Sequence, residues 1–432
     1  MDEQSVPGVR ATAHGTEPTD LSPPSMPAAI DRRMRRLLSS VPFATATVHL
    51  GISVSGYFLA LQIQAIDADA KVGNLALVHA VGSVAAMIAQ PLIGVLSDRT
   101  RTRAGARTPW ILTGAVIGSA GLITAGLSTT IAMLVVAAMI IQFGFNTLGG
   151  PLSAILPDRV PTRLRGRYST LAGLGSISAA ILGPILASLF VDRIPLGYST
   201  TAGVIVLIAV LFVLLNPDLD NRALPRQHFS TRAFLADLWV DPRRYPDFGW
   251  AFLGRLLIFG GYFMVLTYLL YLMQGYVGLG VDEAAQLVPL IGAAGMPGFL
   301  LAIVISGPLS DRIGRRKPLV LVGGLIVAAA LLIPLAAPTV AGMFAFGIVA
   351  TIGFGVFTAV DVALISEVLP AKDDFAKDLG ILNIAVALPS VLAPALAAAV
   401  VTVSGSYGAV FATAAVITVA GALAVLPIKG VR

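Results

Sequence analysis

Gly94-Val95-Leu96-Ser97-Asp98-Arg99 returns 213 residues later as Gly307-Pro308-Leu309-Ser310-Asp311-Arg312. Ile155-Leu156-Pro157 returns at the same offset as Val368-Leu369-Pro370. Two separate motifs that share one shift mark the chain as a duplication. Each copy of the hexapeptide closes a long apolar run and opens a basic cluster, so the nature of those runs decides the fold.

A membrane crossing takes about 20 mostly apolar residues. Twelve runs meet that length: 41–66, 75–97, 109–128, 131–156, 168–191, 198–216, 248–273, 284–308, 318–336, 339–368, 379–403 and 406–427. Hydrophobic residues make up 56% of the chain and charged residues 12%, against about 25% charged in a soluble domain. The 44 Gly and 27 Pro fit this reading, because transmembrane helices tolerate both. The expected fold is an all-α polytopic membrane protein, with twelve transmembrane helices in two pseudo-symmetric six-helix bundles. The expected organisation is a disordered tail over 1–40, bundles over 41–216 and 248–427, a linker over 217–247 and a short tail over 428–432.

Charge orients the chain. With the N-terminus placed in the cytoplasm, 26 of the 29 Lys and Arg fall on that side, as the positive-inside rule requires. The expected location is the cytoplasmic (inner or plasma) membrane, with both termini cytoplasmic. The net charge of +6 is thereby accounted for as topology and does not call for nucleic acid. There is no Cys, none of the five Lys precedes Ser or Thr as a P-loop requires, and no His-Glu-x-x-His is present. No cofactor or metal is expected, and no paired catalytic constellation stands out for an intramembrane enzyme.

The repeated loop carries an Asp that topology alone does not need. Asp98, Arg99 and Arg107 in the first half, and Asp311, Arg312, Arg315 and Arg316 in the second, form a candidate charge network that would hold the cytoplasmic side closed. The competing view is that short inside loops simply collect Arg.

These two loops resemble the signature loop of the major facilitator superfamily, over all twelve spans. Gln90 to Thr100, Gly105-Ala106-Arg107-Thr108-Pro109-Trp110-Ile111 and Phe145-Asn146-Thr147-Leu148-Gly149-Gly150-Pro151 further resemble the sucrose-transporter branch of the glycoside–cation symporters. That resemblance implies transport by alternating access, with a solute site between the halves near mid-membrane. Two positions depart from the branch. Its sugar-binding Arg in span 4 is Ser153 here, and an acidic position before the Asn is Gln142. Gly173, Gly175 and Gly183-Pro184 in span 5 match the drug–proton antiporters in part.

Charges inside a span cost about 2.5–3.5 kcal/mol on insertion scales, which marks them as functional candidates. Asp361 lies nine residues before Pro370, about 13 Å from the end of its span. Its possible roles are proton or cation coupling, binding of a sugar hydroxyl, or a structural pair with Arg255. Arg255 and Tyr262 share one face of span 7; Tyr268 and Tyr271, further out, read as packing or interfacial-belt residues. Gln62, Gln142, Asn146 and Asn383 complete the candidates for the substrate cavity, each set against a role in joining helices. His49 reads as a structural histidine rather than a proton relay. The expected function is secondary transport of a small polar solute, a sugar or glycoside, by proton or cation symport. Its partners are that solute, a coupling proton and the bilayer, with the protein a monomer. The alternative is proton-coupled efflux of a drug or small metabolite.

Overall fold

Hydrocarbon offers the backbone no water, so each apolar run has to pair its own N–H and C=O groups within a helix. A computed structural model describes residues 31–223, 245–368 and 375–429, and the side chains of all these except 362, 366 and 375–387. Among the described residues every regular element is helical. The first half contains α1 (Arg32–Ile66), α2 (Lys71–Arg99), α3 (Thr108–Gly126), α4 (Ile131–Arg159), α5 (Thr162–Ser188) and α6 (Ile194–Leu215). The second contains α7 (Pro246–Thr267), α8 (Leu269–Gly275), α9 (Val281–Ile313), α10 (Lys317–Ala336), α11 (Val340–Val368), α12 (Phe375–Ser404) and α13 (Gly408–Leu423).

Ten of the described helices are long and apolar enough to cross a membrane, and the shorter apolar stretches Leu388–Ser404 and Gly408–Leu423 complete twelve. The last of these continues beyond Leu423 in tightened turns, where Val425 N–H donates to Ala422 O and Ile428 N–H to Val425 O. Large apolar side chains face outward: Leu214, Val304 and Val416 are each more than two-thirds exposed, at 71%, 68% and 69%. On a water-soluble protein such a surface would be a liability; against lipid it is the solvated face.

The duplication is visible in the packing. α3 packs on α4 and α6, α1 on α5 and α6, and α2 on α4. The second half repeats this set with α10 on α11 and α13, α7 on α12 and α13, and α9 on α11. The halves meet where α2 lies along α12 and α5 along α9. The tightest pair in each half is lined by glycine. A Cβ on Gly121 would stand 2.7 Å from the Ile141 nitrogen, and one on Gly323 would stand 2.7 Å from the Phe357 nitrogen. Backbones this close exclude any side chain and let dispersion hold the pair.

Two expectations change. The first bundle begins at Arg32 rather than 41. No helix breaker stands between Asp31 and Pro42, and 35 residues give about 52 Å of helix. That exceeds a hydrocarbon core of about 30 Å, so the arginine-rich first turns reach the headgroups. The run 248–273 is not one helix: it breaks at Tyr268, between α7 and α8. Of the linker, 217–223 and 245–247 are described, and 224–244 lies outside the described residues, as do 1–30 and 430–432.

Candidate functional site

The end of the bundles that carries the α1 N-terminus and the α2–α3 loop is called the basic end below, and the opposite one the far end. A cavity of about 300 Å³ opens in the first half between α1, α4 and α5. Its polar lining is Thr45, His49, Ser153, Tyr168, Ser169 and Ser176. Two of these, Tyr168 and Ser176, face in because Tyr168, Ala172 and Ser176 recur every fourth residue along one face of α5. Thr45 Oγ1 donates to Ala172 O at 2.8 Å and so fixes α1 against α5 at the cavity wall. His49 Nδ1 lies 3.3 Å from Thr45 O, and Ser153 Oγ donates to Gly149 O at 3.0 Å.

Tyr168 differs from these. It is 3% exposed, and its hydroxyl has no hydrogen-bond partner among the described residues. A buried hydroxyl left unpaired costs about 1–3 kcal/mol, so an acceptor supplied by a bound solute would relieve a standing cost. Among the described residues no carboxylate, Lys or Arg lines this cavity, which suits a neutral, hydroxyl-bearing molecule. Sequence reasoning missed Thr45, Tyr168, Ser169 and Ser176, although the four-residue spacing on α5 was there to be read.

The charged candidates meet in the second half. Arg255 Nη1 lies 2.7 Å from Asp361 Oδ2, with side chains 7% and 4% exposed. The contact is an ion pair off the hydrogen-bonding direction, and both Nε and Nη1 of Arg255 lack an acceptor. The pair joins α7 to α11 among aromatic rings: the guanidinium sits 5.2 Å from the Phe259 centroid, and Tyr262 stacks on Phe354 at 4.5 Å. Of the three readings of Asp361, the pairing with Arg255 is the one this geometry displays.

The uncharged candidates divide. Gln62 does not line the cavity: its Nε2 donates to Ala125 O at 2.8 Å and its Oε1 accepts from Tyr198 at 3.0 Å. It joins α1 to α3 and α6, because a buried amide in lipid must find partners within its own bundle. Asn146 donates to Gln142 O one turn back at 2.8 Å, and both are half-buried on α4 outside the cavity lining. The side chain of Asn383, on α12, lies outside the described residues.

The loop network is asymmetric. Arg107 reaches Asp98 at 2.6 Å and Asp158 at 2.8 Å, and its Nη1 also donates to Ser97 Oγ at 2.8 Å. Burial opposes the Arg107 charge, but the Asp158 and Asp98 carboxylates outweigh it and move its pKa up. The three charges belong to one half, so the clamp ties the α2–α3 loop to α4. Arg99 lies beside it with an interaction of its own. In the second half Arg316 pairs instead with Glu367 at 2.9 Å. Asp311, Arg312 and Arg315 are exposed and unpaired among the described residues. The loop 314–316 is five residues shorter than 100–107, too short to fold an arginine back over the Asp.

Polar ties between the halves gather at the far end. Tyr57 donates to Ala285 O at 2.6 Å, Tyr271 to Ala60 O at 2.8 Å and Gln64 to Gln274 at 2.8 Å. Tyr268 reaches Val72 O at 2.9 Å, and Lys71 lies 4.9 Å over the Tyr271 ring. Tyr268 and Tyr271 are fully buried, so they bolt the halves together and are not belt residues.

Comparison with known proteins follows the same lines. The pattern of the Major Facilitator Superfamily matches residues 43–306 and 298–431. The chain is 26% identical over 189 residues to the inner membrane symporter YicJ of Escherichia coli (strain K12), a match spanning 40% of this chain and 39% of the relative's length. Among solved structures it resembles nucleoside transporter NupG (TM-score 0.71, 14% identity, 91% of this chain and 99% of that one). It also resembles peptide transporter POT (TM-score 0.71, 15% identity, 91% and 94%). A bacterial homolog of the lysosomal transporter Spinster gives a TM-score of 0.66 at 15% identity over 92% and 96%.

Proposed function

The chain belongs to the major facilitator superfamily, and we propose that within it this transporter moves a neutral, hydroxyl-rich solute, a sugar or glycoside, by proton symport across the cytoplasmic membrane. The observation that carries this reading is the cavity between α1, α4 and α5, with its uncharged hydroxyl lining and the unpartnered Tyr168 hydroxyl. Its volume of about 300 Å³ suits a solute of one or two sugar rings at the lower end of ligand pockets, which run from about 300 to 1,000 Å³. The symport named for the YicJ relative points the same way.

Asp361 is the coupling group in this reading. Loading a proton on it cancels its charge and releases Arg255, which must then find another partner, so the pair has two arrangements that a proton selects. The far-end bolts and the basic-end cavity correspond to one of two alternating states, with the basic end facing the cytoplasm.

Uptake into right-side-out vesicles, using a panel of radiolabelled glycosides with and without an imposed proton or sodium gradient, tests this. Accumulation of at least one glycoside, raised by an inward proton gradient and insensitive to sodium, is the expected result. No glycoside uptake together with proton-driven extrusion of a dye would overturn it in favour of efflux.

A further inference from the structure

A second hollow, of about 720 Å³, lies at the basic end of the first bundle. It is bounded by the first turns of α1, the α4–α5 corner and the end of α6. Arg33, Arg36, Arg159 and Arg163 line it, with Asp31, Asp158 and Asp218. Two of the three carboxylates are already engaged. Asp158 holds Arg107 at 2.8 Å, and Asp218 accepts the Arg107 and Leu219 backbone N–H groups at 3.2 and 3.0 Å. Arg159 donates to the carbonyls of Asn216 at 3.3 Å and Pro217 at 3.2 Å. Carbonyls cap a guanidinium without cancelling its charge. Arg33 and Arg36 are exposed and make no ion pair among the described residues. The hollow is therefore electropositive. Its lining also carries apolar side chains that are well exposed: Leu215 and Leu219, at 51% and 72%.

We propose that this hollow binds the headgroup of an anionic phospholipid, with the phosphate on Arg33 and Arg36 and the acyl chains along the leucines at the end of α6. Guanidinium forks match phosphate oxygens two at a time. A soluble phosphate would use the arginines but leave the leucines uncovered, so the occupant that fits both is a lipid. The hollow shares no lining residue with the neighbouring Tyr168 cavity, and the proposal does not depend on the solute.

The test is lipid competition on the full chain in nanodiscs. Retention of spin-labelled phosphatidylglycerol relative to spin-labelled phosphatidylcholine is compared between the parent, Arg33→Gln/Arg36→Gln and Arg222→Gln. Arg222 lies outside the hollow and pairs with Asp220, so its removal controls, per charge removed, for the loss of a cation elsewhere. The preference for phosphatidylglycerol should fall about fivefold per arginine removed from the hollow and stay within a factor of two in the control. Added inorganic phosphate should not displace the lipid. Elution of the variants as intact monodisperse protein confirms that they fold. An unchanged preference in Arg33→Gln/Arg36→Gln, an equal loss in Arg222→Gln, or displacement by inorganic phosphate would each overturn the proposal.

Discussion

Replacing Asp361 by Ala would leave Arg255 as a cation at 7% exposure with no counter-charge. Both partners are so nearly sealed that solvent screening gives little relief. Breaking a buried ion pair from one side costs about 3–5 kcal/mol, a factor of about 10² to 5 × 10³ in the folded population. Two Arg255 nitrogens already lack an acceptor, which adds to the exposure of the charge once its partner is gone. The double replacement Arg255→Met/Asp361→Leu removes both charges and fills the space with apolar atoms, and should return to within about 1 kcal/mol of the parent. Thermal unfolding in detergent, followed by fluorescence-detected elution, measures the stability of each variant. Proton-driven uptake is measured on the same preparations. The double variant is expected to be stable yet unable to accumulate solute against a gradient. An Asp361→Ala protein as stable as the parent would refute the account of the pair. A double variant that still accumulates solute would make the pair a scaffold and refute its role in coupling.

Tyr168→Phe removes a hydroxyl with no hydrogen-bond partner among the described residues, so unfolding should be unchanged or later, while KM for the transported solute rises about fivefold, the worth of about 1 kcal/mol; an unchanged KM would remove Tyr168 from the site. Tyr271→Phe breaks its bond to Ala60 O and should raise far-end opening by a similar factor. Because the chain contains no Cys, a single Ala60→Cys reports this directly as faster labelling by an impermeant maleimide. Gly121→Leu forces α3 from α4 at the Ile141 backbone and should cost about 1–3 kcal/mol or more, read as early unfolding; Leu at Gly203, which faces open space, should cost far less.

The architecture was legible because two motifs shared one offset, and the paired helix contacts of the halves follow that offset. Asp361 and Arg255 were legible because charge is expensive in a span. The azimuth of each helix was not legible. A helix that meets lipid on one side and apolar neighbours on the other shows little periodicity, so Gln62 could be read as facing a cavity when it faces Ala125 and Tyr198. Tyr268 and Tyr271 were legible only as far as a choice between packing and the interfacial belt. Both are fully buried where the halves meet, which leaves the packing role. The Tyr168 cavity depends on three helices meeting, which no local pattern encodes, although α5 alone carried a hint.

The far-end bolts set a condition on the whole cycle. Tyr57, Gln64, Tyr268 and Tyr271 supply four of the hydrogen bonds that join the halves among the described residues, and at about 1 kcal/mol each these four bias the resting equilibrium by about 4 kcal/mol. Left unbalanced, that bias would hold the opposite orientation near one molecule in a thousand and throttle turnover at the reset step. A carrier that cycles freely needs its two orientations nearly isoenergetic. The basic end must therefore make new contacts worth about as much when it shuts, and the cost of the empty return leg is the quantity that reveals them.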